Sequence, residues 1–237
     1  HRLARSYERH VAAILCPTRF MRDVLARCGL PLRKLRVVPN PVAPLPVGPG
    51  DGSAAGEAID LLFLGRLSAE KGPGAMLDLA AALPGRQVCL GGDGPRRQEL
   101  QGRVERERLG NADLLGRVDR DKLAGLLARS AAVVLPSRCL ENSPGAMLEA
   151  MAAGKCVIVP DHPPLTEWIT DGGTGRTYPA GDVSALCRVA REVLADPAGR
   201  ERMGRAGRRL VRQRHDPQAV LDALDEAYRE AVRCASR

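Results

Sequence analysis

Seven short apolar runs, none with polar alternation, constrain this chain more than any other feature. They are VAAILC at 11–16, LRVVP at 35–39, IDLLFLG at 59–65, QVCLGG at 87–92, ADLLG at 112–116, AAVVLP at 131–136 and CVIVP at 156–160. A strand with one wet face alternates apolar and polar residues. A run that does not alternate suits a strand covered on both faces, as in a parallel sheet. Stretches of helical period lie between and after the runs, at about 18–28, 73–83, 95–109, 119–130, 144–153 and 182–195. The alternation predicts an α/β fold: a Rossmann-like parallel sheet flanked by helices, joined by right-handed crossovers. From about residue 197 the pattern is helical throughout.

Residues 39–56 break this rhythm, because nine of the 18 are Pro or Gly. That is linker composition. The expected organisation is a remnant of an amino-terminal domain at 1–40, a Pro/Gly linker at 41–57, a ligand-binding Rossmann-like domain at 58–215 and a carboxyl-terminal helix at 216–237. The first 40 residues offer only strand–helix–strand, which cannot bury a sheet alone. They are expected to be the end of a domain that begins upstream, and the missing initiator Met agrees.

At 237 residues and 44% apolar content, the chain can bury a core without metal or disulfide staples. Its net charge is +8, yet only four of its 36 basic residues are Lys. This Arg excess reads as coding bias, and six aromatic residues are too few to stack bases, so no nucleic-acid partner is expected. What the charge leaves is a general preference for anions such as phosphates, acidic polymers or a membrane surface. No run reaches the roughly 18 apolar residues of a membrane span, and the polar start HRLARSYERH is not expected to be a signal peptide. The seven Cys are scattered, odd in number and without a CxxC pair. A disulfide framework or zinc site is not expected, and a reducing cytoplasm is. Cys89 and Cys156, inside apolar runs, read as small core residues.

Three segments could carry chemistry. Gly65-Arg66-Leu67-Ser68-Ala69-Glu70-Lys71-Gly72-Pro73 follows the first strand after the linker. Ligands of open α/β sheets sit beyond the carboxyl ends of strands, and the fork of Arg66 with the point charge of Lys71 suits a diphosphate. A solvated loop with an ordinary ion pair is the alternative, and spacing alone leaves both open. Leu90-Gly91-Gly92-Asp93-Gly94-Pro95 is a second strand-to-helix turn. It is not a GxGxxG fingerprint and reads first as a plain tight turn. The third segment runs from Pro136 to Met151. Ser143-Pro144 reads as N-cap and first helical position. Glu141 then lies on the loop and Glu149 about a turn and a half into the helix, both within reach of a ligand at the helix's amino end. For two isolated Glu residues, a turn contact and a surface helix position would be the simpler reading.

The segments FLGRLSAEKG, LGGDGP, LLGRVDRDKLAGLLARSAAVVLPS, ENSPGAMLEAMAAGKCVIVP, TEWITDGGTG and YPAGDVSAL with LADPAGRERM together resemble, in order and spacing, a known family. It is the carboxyl-terminal, donor-binding half of retaining glycosyltransferases of the GT-B type, family 4 (glycosyl transferases group 1). Glu141 and Glu149 match its E-x7-E motif. RVVPNPV and the strand and helix before it resemble the end of that family's first domain. Pro217 to Val232 resembles the helix that crosses back to it.

The resemblance implies a bacterial, cytoplasmic, hexosyltransferase-type enzyme that moves a sugar from a nucleotide-diphosphate sugar with retention. It implies Arg66 and Lys71 on the diphosphate and on the charge of the leaving group, with Gly65 beside them. It implies Glu141 facing the donor sugar as a catalytic residue with Arg66 and Lys71. The segment Asn142, Ser143, Pro144 and Gly145 would offer backbone amides to the sugar. Leu148 would line the donor site, Glu149 would hold the ribose hydroxyls, and Val118 would lie by the base. No cofactor and no divalent metal is expected, because Arg and Lys supply the metal's electrostatic role. The acceptor is a saccharide, a lipid-linked molecule or a small molecule. Its site would lie in the amino half, so this chain alone should bind donor and transfer little.

Asp161-His162-Pro163-Pro164 departs from the family's Gly-Gly, and Pro offers no amide. Glu167 reads as structural, and His162 has no partner ligands for zinc. Arg202, Arg205, Arg209 and Arg212 recur at helical spacing across 201–214, opposite Met203, Ala206 and Leu210. That face reads as solvated; its alternative is peripheral contact with an anionic membrane. The rival to an enzyme is a non-catalytic sugar-nucleotide-binding module or a degenerate partner subunit. The complete set of Arg66, Lys71, Glu141 and Glu149 argues against degeneration.

Overall fold

A computed structural model of the chain describes residues 6, 7, 10–43 and 56–235. Most of the linker expected at 41–57 lies outside the described residues. The chain divides into two compact units, residues 44–210 and residues 1–43 with 211–237.

The larger unit is a six-stranded sheet in the order β5-β4-β3-β6-β7-β8, parallel throughout. Its strands are β3 (Ile59–Leu64), β4 (Val88–Gly91), β5 (Ala112–Gly116), β6 (Ser130–Val134), β7 (Cys156–Pro160) and β8 (Arg176–Tyr178). The unalternated runs explain the centre: every residue of β4 and β7 is buried, as is every residue of β3 except Asp60. At the edge, β5 alternates, with Ala112 and Gly116 buried and Asp113 and Leu115 exposed.

Helices cover both faces: α2 (Gly74–Ala82), α3 (Arg97–Glu107), α4 (Arg120–Arg129), α5 (Gly145–Ala152), α6 (Val183–Ala195) and α7 (Pro197–Arg214). The core gathers Leu61, Phe63, Met76, Leu79, Leu90, Leu186 and Met203. In α6 the buried set Ala185, Leu186, Val189, Ala190, Val193 and Leu194 recurs at helical period. Asp182 caps its start by accepting from the Ala185 amide at 2.8 Å, a contact worth about 1 kcal/mol.

Two expectations need correction. No apolar run marked β8, because three residues at a sheet edge need none. The helix containing Glu149 begins at Gly145, with Pro144 in the N-cap position and no side-chain cap. Ser143 therefore does not cap it, since Pro144 keeps an extended ψ of 93°. The helical tail forms two helices, α7 and a separate carboxyl-terminal α8 (Pro217–Ala235), as expected.

The smaller unit pairs β1 (Ile14–Cys16) with β2 (Leu35–Val37), parallel, through α1 (Arg19–Arg27). Thr18 caps α1 by accepting from the Met21 amide at 3.1 Å. His215 Nδ1 lies 2.7 Å from the Asn40 carbonyl, and Arg36 donates through Nε and Nη2 to Glu230 at 3.1 Å. Among the described residues no helix is long and apolar enough to cross a membrane. The basic face lies where its period put it: Arg202, Arg205, Arg209 and Arg212 are exposed and Met203 is buried.

Candidate donor site

The order in which strands are added reverses between the parallel neighbours β3 and β6. From β3 the chain proceeds to β4 and β5 on one side; from β6 it proceeds to β7 and β8 on the other. The loops leaving these two adjacent strands diverge and open a crevice at their carboxyl ends, the place where such sheets bind ligands. Gly72 lets the two loops touch. Its φ is 64°, and a Cβ there would lie 2.1 Å from the Pro136 carbonyl oxygen, so only glycine fits. The Arg138 amide also donates to the Glu70 carbonyl at 2.8 Å.

This contact joins two residues 70 apart in sequence. Lys71 Nζ lies 2.5 Å from both carboxylate oxygens of Glu141. Ser137 Oγ donates to Glu141 Oε1, also at 2.5 Å. Glu141 is only 8% exposed while the Lys71 side chain is 30% exposed. A carboxylate so far removed from water requires its cation and its hydroxyl donor.

Two cavities lie along the crevice. One, of about 250 Å³, is lined by Gly65, Arg66, Lys71, Glu141, Ser143, Pro144 and Gly145, among others. The other, of about 440 Å³, is bounded by Gly91, Gly92, Asp93, Arg117, Val118 and Glu149. They share Leu64, Gly65, Arg66 and Ala146, so the Arg66 side chain serves both. The amides of Gly145 and Ala146 open α5 at the shared wall, where a first turn leaves donors for an anion or a hydroxyl. Burial pushes the Glu149 carboxyl above its usual range, against an opposing pull from Arg120. Cations at the middle and carboxylates towards both ends suit a ligand with a central polyanion and hydroxyls on either side.

Of the residues singled out in the sequence, Gly65, Arg66, Lys71, Val118, Glu141, Ser143, Pro144, Gly145 and Glu149 line these cavities. Leu148 is buried in the core and Asn142 is exposed, and neither is in the cavity walls. Pro144 contributes a carbonyl rather than an amide, accepting from the amides of Met147 and Leu148. Sequence reasoning missed Arg117 and read the turn that carries Asp93 first as a plain tight turn. Arg117 adjoins Val118 in the GRV segment, and its charge was the available signal. The Gly91-Gly92-Asp93 turn is both a tight turn and a wall: a Cβ on Gly92 would lie 1.8 Å from the Gly65 carbonyl oxygen. His162 Nε2 lies 3.1 Å from the Ser137 carbonyl and Nδ1 3.1 Å from that of Pro163. Glu167 closes a short turn, Leu165–Glu167, away from both cavities.

The sequence description of the family "Glycosyl transferases group 1" matches residues 51–210. The chain is 34% identical over 182 residues to glycogen synthase of Mycobacterium tuberculosis, covering 73% of this chain and 43% of that one. It thus spans less than half the length of that curated relative. Among solved structures, sucrose-phosphate synthase from Thermosynechococcus elongatus superimposes with a TM-score of 0.82 at 25% identity, covering 94% of this chain and 59% of that one. Anabaena HepE in complex with UDP superimposes with a TM-score of 0.85 at 19% identity, covering 95% and 65%.

Proposed function

Because this chain belongs to the glycosyl transferases group 1 family, we propose that it supplies the nucleotide-sugar site of a retaining, hexosyl-transferring enzyme. The observation that carries this reading is the row formed by Glu141, Lys71, Arg66 and Glu149 along two adjoining cavities. In it the donor's diphosphate lies between Arg66 and Lys71. As the bond from the anomeric carbon to the phosphate oxygen breaks, negative charge gathers on that phosphate, and the two cations stabilise it. A diphosphate competes with Glu141 for the Lys71 ammonium, so donor binding and the freeing of Glu141 towards the sugar are one event. Glu149 accepts from the ribose hydroxyls, and Val118 with Arg117 borders the base. No divalent metal is required for this division of labour.

The length of the relatives supports a donor half whose acceptor, a saccharide, lipid-linked or small molecule, is bound elsewhere in a longer protein. On that reading the chain alone binds donor and transfers little sugar. The Arg202, Arg205, Arg209 and Arg212 face is solvated, and co-sedimentation that rises with anionic lipid would instead mark it as a membrane contact.

Calorimetric titration with UDP, GDP and ADP tests the site on the parent chain and on Lys71→Ala and Glu149→Ala. One nucleotide should bind, at least tenfold more weakly in both variants. UDP is the first choice, since HepE was solved with it. No binding of any nucleotide to the folded chain, or binding indifferent to both substitutions, defeats the reading.

A further inference from the structure

A third cavity, of about 410 Å³, lies on the other side of the 136–138 segment, beyond the carboxyl ends of β6, β7 and β8. Its walls include Ser137, Arg138, His162, Tyr178, Gly181 and Leu186. Neither Lys71 nor Glu149 reaches it.

Two donors face this space without an acceptor. Tyr178 is 5% exposed, and its hydroxyl makes no hydrogen bond among the described residues. The hydroxyl oxygen is not one of the fully buried unpartnered atoms of the described residues, so it keeps contact with the cavity space. Burial holds the phenol far above its usual pKa despite the opposing effect of Arg138, so it stays a neutral O–H donor. The Arg138 side chain is exposed and, among the described residues, enters no ion pair or side-chain hydrogen bond. Each ring nitrogen of His162 lies 3.1 Å from a carbonyl oxygen, of Ser137 or of Pro163. The nearby acid, Asp161, uses Oδ1 to accept from the Ala180 amide at 2.8 Å.

A guanidinium only donates hydrogen bonds, and a protonated phenol can donate as well as accept. Their complement is a group made only of acceptors, and an oxyanion also matches the charge of Arg138. The space is larger than a bare phosphate and within the lower range of small-molecule sites. Val183, Leu186 and Ala75 give it apolar wall against which the C–H face of a small ring can rest.

We propose that this cavity binds a phosphomonoester carried on a sugar-sized body, with its oxyanion between Arg138 and Tyr178. The site shares only Ser137 with the walls of the nucleotide crevice and does not depend on the donor reading.

The test is titration of the chain with glucose 6-phosphate, inorganic phosphate and glucose. It is repeated on Arg138→Ala, on Tyr178→Phe, which keeps the buried ring, and on Lys71→Ala as the control for the crevice. Thermal melting confirms that each variant is folded. Glucose 6-phosphate should bind saturably, at least tenfold tighter than inorganic phosphate or glucose. Arg138→Ala should lose at least tenfold, Tyr178→Phe several-fold, and Lys71→Ala nothing. The proposal is overturned by no saturable binding to the parent chain, or by inorganic phosphate binding as tightly as the sugar phosphate. Binding that is lost in Lys71→Ala and kept in Arg138→Ala also overturns it, because the anion would then sit in the donor crevice. Nucleotide titration reads the other site, so either can fail alone.

Discussion

Glu149 shows how a residue proposed to bind the ligand can weaken the fold that carries it. Its carboxyl is half-buried, and burial raises its pKa above the ordinary 4.5 even with Arg120 opposing. A carboxyl whose folded pKa exceeds its unfolded one favours the folded state only while protonated. Stability from this residue is thus lost as pH rises from 4.5 through the raised value, and the ionised form strains the fold at neutral pH. Glu149→Gln should therefore raise the melting temperature at pH 7 to 8. Below about pH 4.5 the difference should vanish, because both side chains are then neutral. The same variant should bind nucleotide less well, since an amide offers one acceptor oxygen where a carboxylate offers two. Melting curves across pH, set beside calorimetry, check both halves. The role proposed for Glu149 comes from a family resemblance, since its spacing to Glu141 alone favours a surface helix position. Its desolvation was not legible in the sequence, because that comes from how the neighbouring segments pack around α5.

At the scale of elements, the sheet was readable because burial on both faces leaves a strand no choice of composition. IDLLFL and CVIVP are β3 and β7 almost residue for residue. RTY left no such trace as β8, and Ser143 failed as a cap because Pro144 holds the backbone extended before the helix begins. Glycines divide in the same way between local and tertiary demands. Gly92 has a φ of 148°, and a Cβ there would lie 1.8 Å from the Gly65 carbonyl oxygen. The β3 and β4 loops must separate to admit one. Gly92→Ala should cost about 3 kcal/mol and disturb Arg66 with it. Gly125, inside α4, has nothing within 4 Å of its would-be Cβ, and Gly125→Ala should stabilise by about 0.5–1 kcal/mol through helix propensity. Urea denaturation of the two variants separates these cases.

For the molecule as a whole, the cysteines report on packing in both units. Cys28 is exposed, whereas Cys16, Cys89 and Cys156 are buried. Burial pushes the Cys89 thiol up to about 11 and Cys156 to about 12, so neither forms a thiolate at pH 8. A thiol reagent at that pH should modify Cys28 within minutes and reach Cys89 and Cys156 only when the chain unfolds. Rapid loss of all buried thiols would mean the core opens far more readily than its packing implies. The parallel sheet and its covering helices belong to the sequence by itself, since burial on two faces and helical spacing are periodicities along the chain; the Glu141–Glu149 pair is legible there only through a family resemblance. The Lys71–Glu141 contact, the shared position of Arg66 and the cavity holding Arg138 beside Tyr178 belong to the tertiary structure. They arise where strands remote in sequence lie side by side, and only the order of strands in the sheet decides which loops meet.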